Sequence, residues 1–501
     1  MVNPKIVVPH PYALSGHNIG GLASVIAAEL RGQPERLRDV TFLTADSHSG
    51  DIGGVRVLNA TPDAPQDAGV PMSRRLWGHW CTLFPKSYTA PACPPEALHG
   101  MYNAGQYSHQ IGSFECMLEH VARFAPGRAA EERFFSRYGR RFTDSGTEGI
   151  EPGSIVNFQD FLWFGAINEY GDALRAKGCY LKGTGHTSYP DNLYRSEIGR
   201  GFLSAISKLD VFYVHADEFA RRIGNQLQTL GLPVPELKTM NLGIDQGLMH
   251  ASLAKVSPSN FTQSIPGFKE LSANQRGFIG EIFKAQQNPD CTSFMCIDRI
   301  DIVKRLHVVI YAIDKFLQSR LDEGESTLDL RAKYKFFFLN LKFTSNDPSG
   351  GDNLSAQYGT WLEQEFERVL GKEQYKGVVF RGDPLTGDQR IGLPALMRNS
   401  VLISGGGEEG LHLSTMEGLF VNRGLAKGAI LPTGAGFALQ AIESGFDDPS
   451  YFPQVDDVSA YVGAIRAWAG LTDISKARQR SITNRLVDQL VIPRKHSVLF
   501  D

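Results

Sequence analysis

Short apolar runs alternate with longer amphipathic segments along most of the chain. Runs such as KIVVPHP, SIVNFQD, GCYLKGTGH and VFYVHAD are rich in β-branched and aromatic residues, and each ends in polar residues or glycine. Helix-length segments such as FLWFGAINEYGDALRAK lie between them. This alternation predicts a parallel sheet with helices on both faces.

A second series of the same kind follows a stretch of weaker pattern at about residues 246–290. Its apolar runs are SFMCIDR, YKFFFLNLKF, GVVFRGD, VLISGGG and GAILPTG, again separated by helical segments. We therefore expect an α/β protein with two doubly wound, Rossmann-like domains facing each other across a cleft. The predicted bounds are 1–250, 251–475, and a C-terminal helix and tail, 476–501, that packs back on the first domain.

Composition narrows the class of function. The chain has 501 residues, is 42% hydrophobic and carries a net charge of −3 with its charges dispersed, which argues against nucleic acid or a membrane as partner. The opening MVNPKIVVPHPYALSG lacks the apolar run of a signal peptide, so we expect a cytoplasmic protein. Its cysteines show no metal-ligand spacing and are expected to be packing thiols.

Two motifs contain groups suited to phosphate. GHNIGGLASV places Gly20 and Gly21 between a strand and a helix, where backbone N–H groups can approach a ligand, although a plain tight turn is the alternative. CIDRIDIVKRL places Arg299 and Lys304 on the loop after the first strand of the second domain. The pair suits a leaving diphosphate, and a solvated basic surface is the alternative.

Asp160 and His186 follow two neighbouring predicted strands of the first domain, in FQDF and GTGH. A carboxylate and an imidazole at that edge can orient an acceptor, take a proton or hold sugar hydroxyls. The alternatives are that Asp160 caps the next helix and that His186 is a satisfied core residue.

The segment GGGEEGLHLSTMEG, 405–418, has the densest polar chemistry in the second domain. If a helix begins at Leu413 or Ser414, its first amides can hold a phosphate, and Glu417, about one turn on, can bind two vicinal hydroxyls. Glu409 and His412, with Gly410 and Leu411 between them, are expected over a sugar ring.

Glu409 and Glu417 form an E-x7-E pair, and with DRIDIVKR, FQD, GTGH and the glycine turn it resembles the retaining GT-B glycosyltransferases of the trehalose-phosphate-synthase family. Within that family HLSTMEGLFVNRG is most similar to the pseudo-glycosyltransferases that make validoxylamine phosphate. The resemblance implies a nucleotide-sugar donor and no metal or other cofactor.

The resemblance also implies roles for single residues. Arg299 and Lys304 match the diphosphate-binding pair, and Glu417 matches the ribose-binding carboxylate. Leu413 and Ser414 match the amides at the helix start, while Glu409 stands for an aspartate beside the donor sugar and His412 for an asparagine. Asp160 and His186 match two residues near the reacting centre, and Gln159 stands where the family has a histidine.

Departures from the family pattern bear on the acceptor. Neither VVPHPYAL nor LKFTSNDPSGGDN contains the arginine that in the family helps to hold an acceptor phosphate. We therefore expect a small acceptor without a phosphate, such as the zwitterionic thiol used by the S-glycosyltransferases of lincosamide antibiotic biosynthesis. A GDP-sugar is the favoured donor, because Asp383 in FRGDPL is placed where a carboxylate can accept the paired N–H groups of guanine.

The leading hypothesis is thus a metal-independent retaining transferase acting on a nucleotide sugar and a small acceptor. Alternatives are an enzyme with a cyclitol or sugar phosphate acceptor, a nucleotide-sugar epimerase and a catalytically silent binding protein. Self-association into a homo-oligomer stays open.

Overall fold

The fold is described from a computed structural model of the whole chain. Its description covers residues 6–10, 40–44, 50–52, 55–59, 152–159, 164–186, 188–189, 191, 193–195, 197–256, 271–298, 300, 304–339, 354–383, 385, 392–407, 409–455 and 457–492. Of these, the residues up to Leu242 form one compact unit and those from Gly243 onward form a second. The domain boundary predicted from the sequence lies at 250.

The first unit is built on an eight-stranded sheet with the order β3-β4-β2-β1-β5-β6-β7-β8. The strands are β1 Ile6–His10, β2 Val40–Thr44, β3 Gly50–Ile52, β4 Val55–Asn59, β5 Ile155–Gln159, β6 Tyr180–Thr184, β7 Val211–Val214 and β8 Glu236–Thr239. All neighbours pair in parallel except β3, a short edge strand that is antiparallel to β4.

Helices follow the central strands of this unit, as the sequence pattern predicts. They are α1 Phe164–Ala176, α2 Glu197–Ser207 and α3 Asp217–Thr229. Strand β7 is completely buried, and Phe219, Ile223 and Leu227 on α3 are buried at one helical spacing. The apolar side chains therefore lie between sheet and helices, which leaves the strand ends for polar residues.

The second unit contains a five-stranded sheet in which every pairing is parallel, with the order β11-β10-β9-β12-β13. The strands are β9 Thr292–Cys296, β10 Tyr334–Leu339, β11 Val379–Gly382, β12 Val401–Ile403 and β13 Ala429–Ile430. If the five strands are numbered 1 to 5 in chain order, their order in the sheet is 3-2-1-4-5. The direction of winding therefore reverses between β9 and β12. The ring of Phe294 stacks on Phe336 at 4.8 Å at the sheet centre.

The helices of the second unit alternate with these strands. They are α4 Gln246–Lys255, α5 Ala273–Gln287, α6 Leu306–Asp322, α7 Thr327–Lys333, α8 Leu354–Leu370, α9 Leu393–Met397, α10 Leu413–Val421, α11 Gly436–Glu443, α12 Val458–Ala469 and α13 Asp473–Leu486, which continues as a π-helical turn Val487–Val491. Helices α4 and α5 occupy the stretch whose pattern is weak in the sequence.

Helix α13 packs within the second unit. The hydroxyl of Tyr451 donates to the carbonyl oxygen of Gln479 at 3.0 Å and lies 2.8 Å from the Thr483 hydroxyl, and the Tyr451 ring packs edge-on against Trp468. The helical part of the predicted 476–501 segment thus lies in the second unit. Residues beyond 492 lie outside the description, so packing of that tail on the first domain stays a prediction.

Within the described ranges, no helix combines the length and apolarity needed to cross a bilayer. Cys179, Cys291 and Cys296 are buried thiols, and burial raises the pKa of each.

Candidate functional site

The carboxyl ends of β9 and β12 are brought together by the winding reversal of the second sheet. Leu402 on β12 pairs with Met295 on β9, although more than a hundred residues separate them in the chain. Asp298 follows β9 and Ser404 follows β12, and both are almost fully buried. Ligands of doubly wound proteins bind at such a reversal, outside the carboxyl ends of the strands. A polar cluster at this place is therefore a candidate site.

Lys304 is the cation of this cluster. Its ammonium lies 3.3 Å from Oδ1 of Asp298 and forms a short ion pair with Oε1 of Glu409. The three side chains are 11%, 2% and 14% exposed. In a partly dry site the attraction between these groups is much stronger than in water. An incoming anion at Lys304 must therefore compete with two carboxylates.

Asp298 is held ionised despite its burial. Burial alone would raise the pKa of its carboxyl group, but the charge of Lys304, the charge and hydrogen bond of His412, and a bond from Ser404 outweigh it. The pKa of Asp298 therefore lies well below its ordinary value. The Ser404 hydroxyl donates to Oδ2 of Asp298 at 2.5 Å. A permanent negative charge thus sits beneath the loop that follows β12.

His412 joins both carboxylates. Its Nε2 lies 2.8 Å from the Ser404 hydroxyl and 3.2 Å from both Oδ1 of Asp298 and Oε2 of Glu409, and its Nδ1 lies 2.7 Å from the Thr415 hydroxyl. The side chain is only 2% exposed. The sequence predicts His412 at a sugar ring, and the structure places its ring nitrogens among these buried protein groups.

Helix α10 begins at Leu413, as the sequence predicts, directly after His412. His412 is the N-cap residue and has left-handed backbone angles, with φ at 67°. For a residue with a side chain this conformation costs about 1–2 kcal/mol. The hydrogen bonds of the imidazole offset this cost, since they fix His412 between the loop and the first turn of the helix.

The first turn of α10 contains groups that can bind an anion. Leu413 and Ser414 are half-buried at the N-terminus, where the helix carries partial positive charge. Glu417 lies one turn further on and is also half-buried. The carbonyl oxygen of Glu409 accepts a hydrogen bond from the Gly436 amide at 3.0 Å, which ties the loop to α11.

The glycines of the 405–407 loop allow close approach of the protein's own groups. A Cβ on Gly405 would lie 2.5 Å from the carbonyl oxygen of Arg305, and one on Gly406 would collide with the Glu409 carboxylate. On Gly407 it would lie 2.5 Å from Nη1 of Arg305. The loop therefore requires glycine because Arg305 and Glu409 pack directly against it.

A second polar cluster lies at the carboxyl ends of β5, β6 and β7 in the first unit. Nε2 of His186 lies 2.8 Å from Oε1 of Gln159, and Nδ1 of His186 lies 3.3 Å from Nε2 of His215. The Gln159 amide nitrogen donates to Oδ1 of Asn157 at 2.7 Å. Gln159, Asn157 and His215 are buried, whereas His186 is half-buried. His186 is therefore the member of this cluster closest to solvent.

His215 stays neutral at ordinary pH. Complete burial lowers its pKa from 6.5 to about 3, against a smaller opposite effect of a backbone hydrogen bond at Met240. A neutral His215 presents one N–H and one acceptor nitrogen, so it can hydrogen-bond to His186 without carrying a charge.

The structure therefore brings Lys304, Glu409, His412 and the start of α10 together in the second unit. Asp383 is exposed directly after β11, three strands from β12 in the sheet order. Gly20, Gly21, Asp160 and Arg299 lie outside the described residues, so their roles stay predictions.

Sequence reasoning missed three members of the site: Asp298, Ser404 and Arg305. Asp298 and Ser404 come within two residues of the ends of predicted strands, which is the signal that would have found them. Arg305 follows Lys304 directly, yet its burial depends on the 405–407 loop. The residues next to it in the sequence therefore do not predict that it is buried.

No protein-family model matches the sequence, and no curated protein matches it. Solved structures do match over nearly the whole length. An α,α-trehalose-phosphate synthase (UDP-forming) from Burkholderia xenovorans in complex with glucose-6-phosphate has a TM-score of 0.63 at 14% identity, covering 98% of this chain and 97% of its own. The chain has the GT-B fold. The likeness extends over the predicted α/β architecture and both series of elements, so the predicted fold class is confirmed.

Two further structures with this fold are similar to the same extent. The E. coli trehalose-6-phosphate protein bound with UDP-2-fluoro glucose has a TM-score of 0.62 at 13% identity, with 97% of this chain and 95% of that chain covered. The α,α-trehalose 6-phosphate synthase of Burkholderia multivorans has a TM-score of 0.62 at 13% identity, with 97% and 93% covered.

Proposed function

We propose that this protein is a glycosyltransferase that transfers a sugar from a nucleoside-diphosphate sugar to a small acceptor. The observation that carries the proposal is the cluster of Lys304, Asp298, Glu409 and His412 beside the N-terminus of α10, at the winding reversal of the second sheet. A cation and a helix N-terminus stabilise the charge that develops on a leaving diphosphate.

The donor class is supported by the structural neighbours. One neighbour is bound with UDP-2-fluoro glucose and another is a UDP-forming synthase. For the base we propose guanine, since Asp383 is exposed at the carboxyl end of β11 and its carboxylate can accept two N–H groups. Calorimetry decides between the two bases: tighter binding of GDP than of UDP supports guanine, and the reverse order refutes it.

The acceptor that the structural likeness favours is a sugar phosphate, because a neighbour was solved with glucose-6-phosphate. The sequence favours a second candidate, a phosphate-free acceptor such as a low-molecular-weight thiol in antibiotic biosynthesis. The observation for the second candidate is the absence of arginine from residues 7–14 and 341–353. Both candidates use the same donor site.

The transfer is proposed to retain the anomeric configuration and to need no metal ion. Lys304, together with the sequence-predicted Arg299, would supply the positive charge, and the diphosphate itself would receive the acceptor proton. Proton NMR of the product distinguishes retention from inversion. Turnover that persists in excess chelator would agree with the metal-free proposal, and turnover that stops and returns with a divalent ion would refute it.

A donor and acceptor panel, read by mass spectrometry, tests the function. The donors are UDP- and GDP-sugars, and the acceptors are sugar phosphates, cyclitol phosphates, thiols, amines and free sugars. A new mass equal to that of the acceptor with one hydrogen replaced by a glycosyl group supports the transferase and identifies its acceptor. Donor that isomerises without any acceptor would instead indicate a nucleotide-sugar epimerase, and a protein that binds no nucleoside diphosphate would be a silent binding protein.

A further inference from the structure

Arg305 is a buried cation next to the candidate diphosphate site. Its side chain is 1% exposed and is among the largest fully buried side chains in the described ranges. The guanidinium packs against Gly407, and the backbone of Lys304 and Arg305 packs against Gly405. Arg305 therefore lies behind the loop whose next residues include Glu409 and the start of α10.

The charge of Arg305 is permanent. A guanidinium does not lose its proton in proteins, so burial cannot neutralise it as it neutralises a histidine. Its field reaches neighbouring groups, since burial and the charge of Arg305 together lower the pKa of His307 to about 3. Because the protein interior screens charges weakly, the positive charge of Arg305 also attracts any anion on the other side of the 405–407 loop.

The backbone at Arg305 is strained. Its φ is 42° and its ψ is 43°, the left-handed region that glycine adopts without cost, and the residue is the N-cap of α6. Glycine or asparagine would suit this backbone better. A Cβ on Gly407 would collide with the Arg305 guanidinium and also with the Val455 side chain, so the glycine leaves room for both. The fold therefore keeps Arg305 in a strained backbone conformation and places Gly407 against its guanidinium. Backbone strain of this kind is concentrated at functional sites.

We infer that Arg305 is a positioning residue for the leaving diphosphate, acting from behind the 405–407 loop. It does not touch the phosphate. It fixes the loop that carries Glu409, and it adds a positive charge to that of Lys304 where the diphosphate gains negative charge. The inference rests on the proposed function, because it requires a nucleoside diphosphate at this site.

The test compares ligands within each variant, so that a general loss of folded protein affects all ligands alike. Calorimetry at low salt measures binding of GDP and UDP, and of guanosine and uridine, to the full chain. The variants are Arg305→Met, which removes the charge at similar length, and Arg305→Lys, which keeps it. Arg305→Gly removes the charge and also relieves the strain of the left-handed backbone. It replaces Arg305→Met in the test if that variant does not fold.

We expect Arg305→Met and Arg305→Gly to weaken binding of the preferred diphosphate about tenfold, with little change for its nucleoside, and Arg305→Lys to recover most of the loss. The difference should shrink as salt is added. Equal losses for diphosphate and nucleoside, or no loss at all, would overturn the inference. A wild-type protein that binds neither diphosphate would instead refute the proposed function.

Discussion

At the scale of single residues, the site is a set of buried charged and polar groups in mutual contact. Lys304 lies between Asp298 and Glu409, and His412 contacts both carboxylates. Removing one member leaves others buried without their partner, which costs far more than losing a surface ion pair. Activity and stability are therefore coupled at these positions, and experiments must separate them.

Replacement of Lys304 by methionine should lower turnover by about two to three orders of magnitude, since one charge-stabilising group is lost. It should also lower the free energy of unfolding by about 3–5 kcal/mol, because two buried carboxylates lose their cation. The double variant Lys304→Met/Glu409→Gln is the control. It should regain part of the stability in urea unfolding but none of the turnover, and a double variant with restored turnover would contradict the role of Lys304.

His307 makes stability depend on pH. It is buried with a pKa of about 3, against 6.5 in its ordinary state, so as the pH falls below 6.5 the unfolded chain binds the proton and the folded chain does not. Stability therefore falls toward acid, by about 1.4 kcal/mol per pH unit for this residue. His307→Phe, which keeps a ring beside Trp361, should flatten this dependence.

Urea unfolding from pH 8 to pH 5 measures the effect of His307→Phe. Between pH 8 and pH 7 the stability curves of wild type and variant should run parallel, since the imidazole is neutral in both states. They should converge or cross below pH 6.5. Curves that stay parallel down to pH 5 would show that His307 is protonated in the folded protein.

At the scale of elements, the site depends on how α10 lies on the sheet. A Cβ on Gly418 would lie 2.5 Å from Cγ of Leu402 on β12. Helix α10 therefore packs against this strand at a distance that only glycine at position 418 allows. This contact holds the start of α10 beside Ser404 and Asp298. Displacement of the helix by even half an ångström would change the distances on which the His412 contacts depend.

Gly418→Ala should therefore destabilise the protein by about 1–3 kcal/mol through overpacking, and should weaken binding of nucleoside diphosphate. Gly463→Ala is the matched control, because a Cβ added to Gly463 in α12 would meet no atom within 4 Å. That change should stabilise by about 0.5–1 kcal/mol and leave binding unchanged. Thermal unfolding and calorimetry measure both variants, and a destabilised Gly463→Ala or a neutral Gly418→Ala would show that the packing differs.

The elements also show what a single sequence can and cannot predict. Strands β5, β9 and β12 and helix α6 were predictable because each is an apolar run of the right period bounded by polar residues. Strand β8 was not predicted, since it is a four-residue edge strand, ELKT, with no fully buried side chain. The antiparallel β3, of three residues, carries even less signal.

The sequence predicts only those site residues that stand together in one short motif. Lys304, Glu409 and the helix start at Leu413 stand in short polar motifs after predicted strands. The contact of His412 with Asp298 was not predictable, because it requires β9 and β12 to be neighbours and strand order is a property of the whole sheet. The buried position of Arg305 depends on the same pairing.

At the scale of the whole molecule, sequence identity of 12–14% to solved structures is accompanied by coverage of 97–98% of this chain. The fold is thus kept while most side chains differ, which is expected when apolar pattern and volume define the core. The function must therefore be argued from the site residues, and its specificity from His412 and the acceptor side.

If the protein is the proposed glycosyltransferase, it couples release of a nucleoside diphosphate to glycosylation of a small acceptor. The most direct measurement quantifies both products in one reaction with purified protein, by mass spectrometry and over time. We expect diphosphate and glycosylated acceptor to appear in equal amounts, and both products to be nearly lost in Lys304→Met. Donor consumption without a glycosylated product, or equal rates in wild type and Lys304→Met, would contradict it.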